Sequence, residues 1–340
     1  MRKKVIIVSI VAIILASQTF AGVVKKAKTE VNFTRFGKFT TIQTVQVSGM
    51  KKVTHSENQF KGKGIMGKLA GRFALKSGET GEIVDLSRRL TYKLDHKKRE
   101  YRVEPFQTYS GEREADETST EENKSRHSEE IENDIKVIRN EFEVNDTGQK
   151  KTINEFPSKK YEINWILEWE NIRTEEKGLN RLQTTVWTTP LEGKVKECYE
   201  QEMNFSQKWM EEMGINVDAL RSSILGTNWL ALFSRMSEES GRIQQSTPDF
   251  EKEMRKIKGY PVIINGKYYI KKQEGEEEAQ EEEGGIKKMF GGFAKKALKK
   301  AKKKDSNEPA FSYHTELLEY RTTAVDPATF SLPSNYKKKG

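Results

Sequence analysis

Residues able to do acid–base, nucleophilic or metal chemistry are sparse in this sequence, and their spacing matches no catalytic motif. The four histidines, His55, His96, His127 and His314, include no pair three to five residues apart and no HExxH. They read as solvated surface side chains rather than metal ligands. Ser48-Gly49-Met50-Lys51 fits the S-x-x-K spacing of some acyl-enzymes. That chemistry needs the serine at a helix start with the lysine one turn on; here the pattern follows a strand-like run, 40–47, and a glycine, so it is set aside. Cys198, the single cysteine, falls on a predicted helix face near Val195 and reads as a small core residue. One cysteine excludes an intrachain disulfide framework and a Cys-rich metal site. With no Walker-type loop and no GxSxG elbow, the residues point to no enzyme, no cofactor and no metal.

The elements that would position a site are easier to read. Apolar residues make up 34% and charged residues 33% of the 340 residues, yet there are 5 Trp, 11 Tyr and 16 Phe. An apolar share of ~45–50% is usual for a globular chain, so a normal core is diluted by solvated inserts. One insert is 111–134, with ten acidic residues and Ile131 as its one aliphatic residue larger than alanine. The other is 274–307, which opens on seven glutamates and reverses sign after Gly284-Gly285. Both are expected to be disordered.

Outside the inserts the pattern is that of strands. Tyr161, Ile163, Trp165, Leu167 and Trp169 alternate with polar residues except at Ile166, the signature of one buried sheet face. Leu90, Tyr92 and Leu94, then Tyr101 and Val103, alternate likewise around the turn 95–98. A turn at 175–178 leads to a strand over 179–189 stopped by Pro190. Asn265-Gly266 between 261–264 and 267–270 predicts a further hairpin. Helices are expected between 192 and 258, with Val195, Tyr199, Met203, Ser206, Met210 and Met213 on one stripe and a second helix capped by Asp218. Strands around one helical block indicate an antiparallel α+β fold.

At the N-terminus, Arg2, Lys3 and Lys4 precede an apolar run at 5–16, and small residues flank a cut after Ala21. This is the layout of a cleaved signal peptide, residues 1–21, and places the mature chain in the periplasm or cell envelope. Export makes a nucleic-acid partner unexpected despite the formal charge of +9. An anionic membrane is the more natural target. Ile286, Met289, Phe290, Phe293 and Leu298 form a helical apolar stripe with Ala294, Ala297 and Ala301, opposite a lysine face. A basic amphipathic helix of this kind suits an anionic interface.

Several stretches carry a family resemblance: Gly64-Ile65-Met66-Gly67-Lys68-Leu69-Ala70-Gly71; Ile83-Val84-Asp85-Leu86 with Leu90-Thr91-Tyr92 and His96-Lys97-Lys98-Arg99-Glu100-Tyr101; Val186-Trp187-Thr188-Thr189-Pro190; Lys256-Ile257-Lys258-Gly259-Tyr260-Pro261-Val262; and Asp326, Phe330, Pro333 and Tyr336. On these the chain resembles an uncharacterised family of exported bacterial proteins related in fold to the LolA-type periplasmic lipoprotein carriers. The resemblance implies a single domain over 22–336: a curved antiparallel sheet, a half barrel, with helices over its concave face. In those carriers the cavity between sheet and helices receives acyl chains. Trp165, Leu167, Trp169, Trp187, Met203 and Met210 are the corresponding candidates here for lining such a cavity. The expected function is therefore non-enzymatic binding of a lipid-like ligand or a lipoprotein. The alternative is an envelope structural or interaction protein, and a packed interior in place of an open apolar cavity would favour it.

Overall fold

A computed structural model of the chain describes residues 20–65, 67, 77–107, 135–214, 250–273 and 308–339. The predicted signal segment, the helix expected after Asp218 and both charged inserts lie outside them, except that β1 begins at Phe20. Twelve strands form one sheet in the order β12-β6-β5-β4-β3-β2-β1-β11-β10-β9-β8-β7. The strands are β1 (Phe20–Phe33), β2 (Gly37–Ser48), β3 (Lys51–Gly62), β4 (Gly78–Asp85), β5 (Leu90–Asp95), β6 (Glu100–Pro105), β7 (Ile135–Ile153), β8 (Phe156–Asn171), β9 (Lys177–Thr189), β10 (Tyr260–Gln273), β11 (Phe311–Val325) and β12 (Lys337–Lys338). Two meanders, β1–β6 and β7–β11, join where β1 pairs antiparallel with β11. Among the described residues the only parallel pair is β12 on β6. The sheet is open and antiparallel almost throughout. It also curls: Asn154, at the β7–β8 turn, donates to the Leu317 carbonyl at 3.0 Å, although three strands separate β7 from β11 in the sheet order.

Sequence pattern explains most of this. Tyr161, Ile163, Trp165 and Leu167 are buried in strict alternation along β8, as their spacing predicts. Cross-strand partners share a face, so Trp165↔Leu182 and Ile163↔Thr184 extend that buried row onto β9. The turn 96–99 between β5 and β6 also falls where expected.

Two turns do not. Asn265-Gly266 makes no hairpin; β10 runs unbroken through it. Gly266 is there for a different reason: its register partner on β11 is Tyr313, and a Cβ at 266 would overlap the Tyr313 ring. The glycine seats an aromatic ring on an extended strand instead of supplying positive φ. Gly178, expected in a turn, likewise belongs to β9 and lies beneath the Trp169 ring. The bend there is taken by 172–174, and Glu175 adopts φ 55°.

Two helices are described. The helix α1 (Gly193–Glu212) buries Cys198 and Phe205 and stops at Gly214, whose φ of 71° lets its N–H reach back to the Glu211 carbonyl at 3.0 Å. The short α2 (Phe250–Met254) sits against β7: Phe250 meets Phe142 at 4.4 Å between ring centroids, and Glu253 accepts the Val144 N–H at 2.8 Å on that edge strand. Two main cores result. One joins α1 to Val23, Val45, Val47, Val84, Leu86 and Leu317. The other packs Tyr161, Ile163, Trp165, Leu167 and Leu182 with Ile257, and Phe250 and Met254 against them.

Candidate functional site

The register of the central strands builds a polar cleft of about 730 Å³. One row across it runs Glu162↔Thr185↔Asn265↔His314↔Glu30, from β8 to β1. The next runs Asn164↔Gln183↔Lys267↔Ser312↔Asn32, and Asn32 pairs on with Lys38 of β2. These residues alternate with the row Ile163–Thr184–Gly266–Tyr313, so they occupy the opposite face of the sheet from the Trp165 core. Long strands position them, so the wall is fixed by backbone pairing rather than by loops.

Charges in the cleft are compensated. Glu30 binds Lys38 at 2.7 Å and Lys28 at 3.0 Å. Hydrogen bonds from Lys38 and Lys28 hold its carboxyl below the usual carboxylate range. His314 turns Nδ1 to the Asn265 side-chain oxygen at 2.5 Å and Nε2 to Glu316 at 3.7 Å. Ser312, His314 and Glu316 share a face at two-residue spacing, but both ring nitrogens of His314 are directed elsewhere than at Ser312. The arrangement is not that of a hydrolytic triad, in which one nitrogen must take the hydroxyl proton. Glu30 and Glu162 are four strand steps apart, ~19 Å along the sheet.

A second polar cluster lies under α1. Glu202 follows Cys198 by one turn and precedes Phe205, so it projects into the buried face of the helix. Its carboxylate binds Lys25 of β1 at 2.5 Å and accepts from Tyr320 at 2.7 Å and Tyr260 at 3.3 Å. The two tyrosine rings stack at 4.5 Å. Burial works against the Lys25 ammonium, but Tyr260 and Glu202 outweigh it and raise its pKa. Burial pushes Tyr260 up to about 12, and burial with the neighbouring Glu202 charge pushes the Cys198 thiol up to about 11, so that thiol is no nucleophile at neutral pH. Lys52 approaches from β3, 4.4 Å from the Trp209 ring.

The six cavity candidates do not come together. Trp165 and Leu167 are packed in the second core with Trp169 at its margin, and none of the six lines the cleft. Trp187 is buried in the first core beneath the Lys151 ammonium, 4.3 Å from its ring. Met203 and Met210 fall beside the face α1 buries, which is set by Val195, Cys198, Tyr199, Phe205 and Trp209. Methionine spacing identified the helix but not which side meets the sheet. Ile286, Met289, Phe290, Phe293 and Leu298 lie outside the described residues. Ser48 and Lys51 pair across the two-residue turn between β2 and β3, away from any helix start.

His55 and His96 are in contact, contrary to the reading of isolated solvated histidines. Nδ1 of His55 lies 3.3 Å from Nε2 of His96. No sequence signal marks this, because 41 positions separate the two. Strand β4 lies between them in the sheet: His55 pairs with Gly81, and the His96 N–H reaches the Glu79 carbonyl at 3.3 Å, so the two rings meet over the glycine.

No family model matches the chain, and no curated protein or solved structure matches it significantly. What the described residues define is a large, open, curved antiparallel sheet with two α-helices. The likeness to LolA-type carriers rests on the sequence stretches alone.

Proposed function

We propose that the protein is a non-enzymatic binding protein of the cell envelope that holds a hydroxyl-rich ligand, a glycan segment, in the polar cleft of its sheet. One observation carries this reading. The cleft presents four carboxamides (Asn32, Asn164, Gln183 and Asn265), hydroxyls and balanced charges, while most large apolar side chains of the described residues are packed in cores, Ile138 and Ile172 being among the exposed exceptions. Carboxamides and carboxylates offer donors and acceptors matched to neighbouring hydroxyls. An acyl chain gains about 0.8 kcal/mol per methylene only where apolar surface covers it, and no aliphatic residue lines this cleft. The scaffold in this proposal is a half barrel of the LolA-carrier type put to a different use, and the envelope location rests on the signal-like N-terminus.

The test is calorimetric titration of the full chain with oligosaccharides released from bacterial envelopes. Saturable binding is expected. Asn164→Ala and Gln183→Ala, on partly or fully exposed side chains, should each weaken it about tenfold, since losing one hydrogen bond to a buried polar partner costs roughly 1–2 kcal/mol. No binding across the panel, or binding indifferent to both substitutions, would refute the proposal.

A further inference from the structure

The geometry points to a divalent-cation site at His55 and His96: we propose that the two imidazoles chelate one tetrahedral cation of the zinc class, with water completing its shell. The outer nitrogen of His96 is hydrogen-bonded, and that of His55 lies near a carboxylate. His96 Nδ1 faces the Tyr336 hydroxyl oxygen at 2.7 Å, and His55 Nε2 faces Glu57 at 3.9 Å. A hydrogen bond from His96 Nδ1 to Tyr336 fixes that ring's tautomer, and the Glu57 carboxylate, beyond hydrogen-bond reach, favours the proton on Nε2 of His55 by charge alone. The inner nitrogens, 3.3 Å apart, then face each other as two lone pairs. Two lone pairs at that distance need a proton or a metal between them. Outer-shell acceptors of this kind orient histidine ligands in metal sites.

The separation selects among metals. Zinc–nitrogen bonds of ~2.0–2.1 Å at a tetrahedral angle place the two nitrogens about 3.3 Å apart. A square-planar copper site with similar bonds would need about 2.8 Å. Among the described residues no third histidine, cysteine or carboxylate completes the set, so the protein supplies two ligands and water the rest. Gly81 is the register partner of His55, and a Cβ there would collide with Nε2 of His96, so the glycine makes room for the ring. Next to that pair, Glu57 and Glu79 stand directly opposite each other on β3 and β4. Like charges in that position are destabilising without a cation nearby. Lys97, Lys98 and Arg99 follow in the same turn, but all three are exposed, and Lys98 leans on Asp95 at 3.8 Å. Half-buried Tyr336 brings the C-terminal strand into the site. Lys337 and Lys339 donate to the Arg99 and Tyr101 carbonyls at 2.9 and 2.8 Å, so a bound cation would also fasten β12 to the sheet edge.

The experiment is a calorimetric titration of the full chain with zinc chloride, repeated with cobalt(II) read by visible absorption. One equivalent of zinc is expected, with an intense tetrahedral cobalt spectrum. His55→Gln and His96→Gln should each weaken binding at least tenfold. Tyr336→Phe, which keeps both imidazoles, should weaken it about tenfold, the low end for loss of an outer-shell partner. His127→Gln should change nothing. Should His96→Gln fail to fold, His55→Gln and Tyr336→Phe decide the matter, since His55 is at the surface. Absence of saturable zinc binding, or binding unchanged in His55→Gln and Tyr336→Phe, would show that the pair is only an N–H···N hydrogen bond.

Discussion

Replacing Glu202 by alanine should destabilise the protein by about 3 kcal/mol. Breaking a buried ion pair by removing one partner typically costs 3–5 kcal/mol because the remaining charge is left uncompensated. The low end applies because Lys25 keeps 26% of its side chain exposed. The substitution also removes the acceptor of the Tyr320 and Tyr260 hydroxyls, both in the α1 core. The double substitution Lys25→Met/Glu202→Met separates charge from packing. Replacing both partners by apolar side chains of similar volume is often neutral, so the double variant should recover most of the loss. Urea unfolding of the wild type, both single variants and the double variant supplies the complete cycle. A double variant no better than Glu202→Ala would show that the cluster contributes through the hydrogen-bonded tyrosines rather than through the ion pair.

Trp165→Ala should cost about 3–5 kcal/mol, the range for truncating a fully buried large aromatic. Trp165 is 2% exposed, and its indole N–H donates to the Asn140 side-chain oxygen at 3.0 Å. Truncation therefore leaves a void and removes the hydrogen bond to Asn140. The magnitude discriminates between two pictures of the sheet. A side chain lining an open ligand cavity already faces empty space and is removed at small cost. A side chain wedged between Leu182 on one strand and Phe142 on another is not. A lower urea midpoint with an unchanged slope is expected. A loss below about 1 kcal/mol would place Trp165 on a cavity wall.

How much of this was legible in the sequence depended on how local the cause was. The alternation 161–169 names its strand and its buried face because one-sided burial repeats every two residues along one segment. The glycines misled for the opposite reason. Gly266 and Gly178 answer to rings on neighbouring strands, Tyr313 and Trp169, and only the register shows which ring a glycine must admit. Glu202 was invisible as an anchor, since a glutamate in a helix normally faces water and its partners come from β1, β10 and β11. The same holds for the cleft. Asn164, Gln183, Lys267, Ser312 and Asn32 are unremarkable polar residues on outward positions until five strands align them. His55 and His96 each looked solitary because the distance that matters is across hairpins and not along the chain.

The central claim is that the apolar interior is packed and the ligand surface is polar. Organic extraction of the full chain purified from its own cells, with mass spectrometry of the extract, tests it most directly. The account predicts no stoichiometric acyl lipid, however gently the protein is prepared. One acyl lipid recovered per chain, retained by wild type and lost on Trp187→Ala or Met210→Ala, would contradict it and restore an acyl-chain cavity as the functional site.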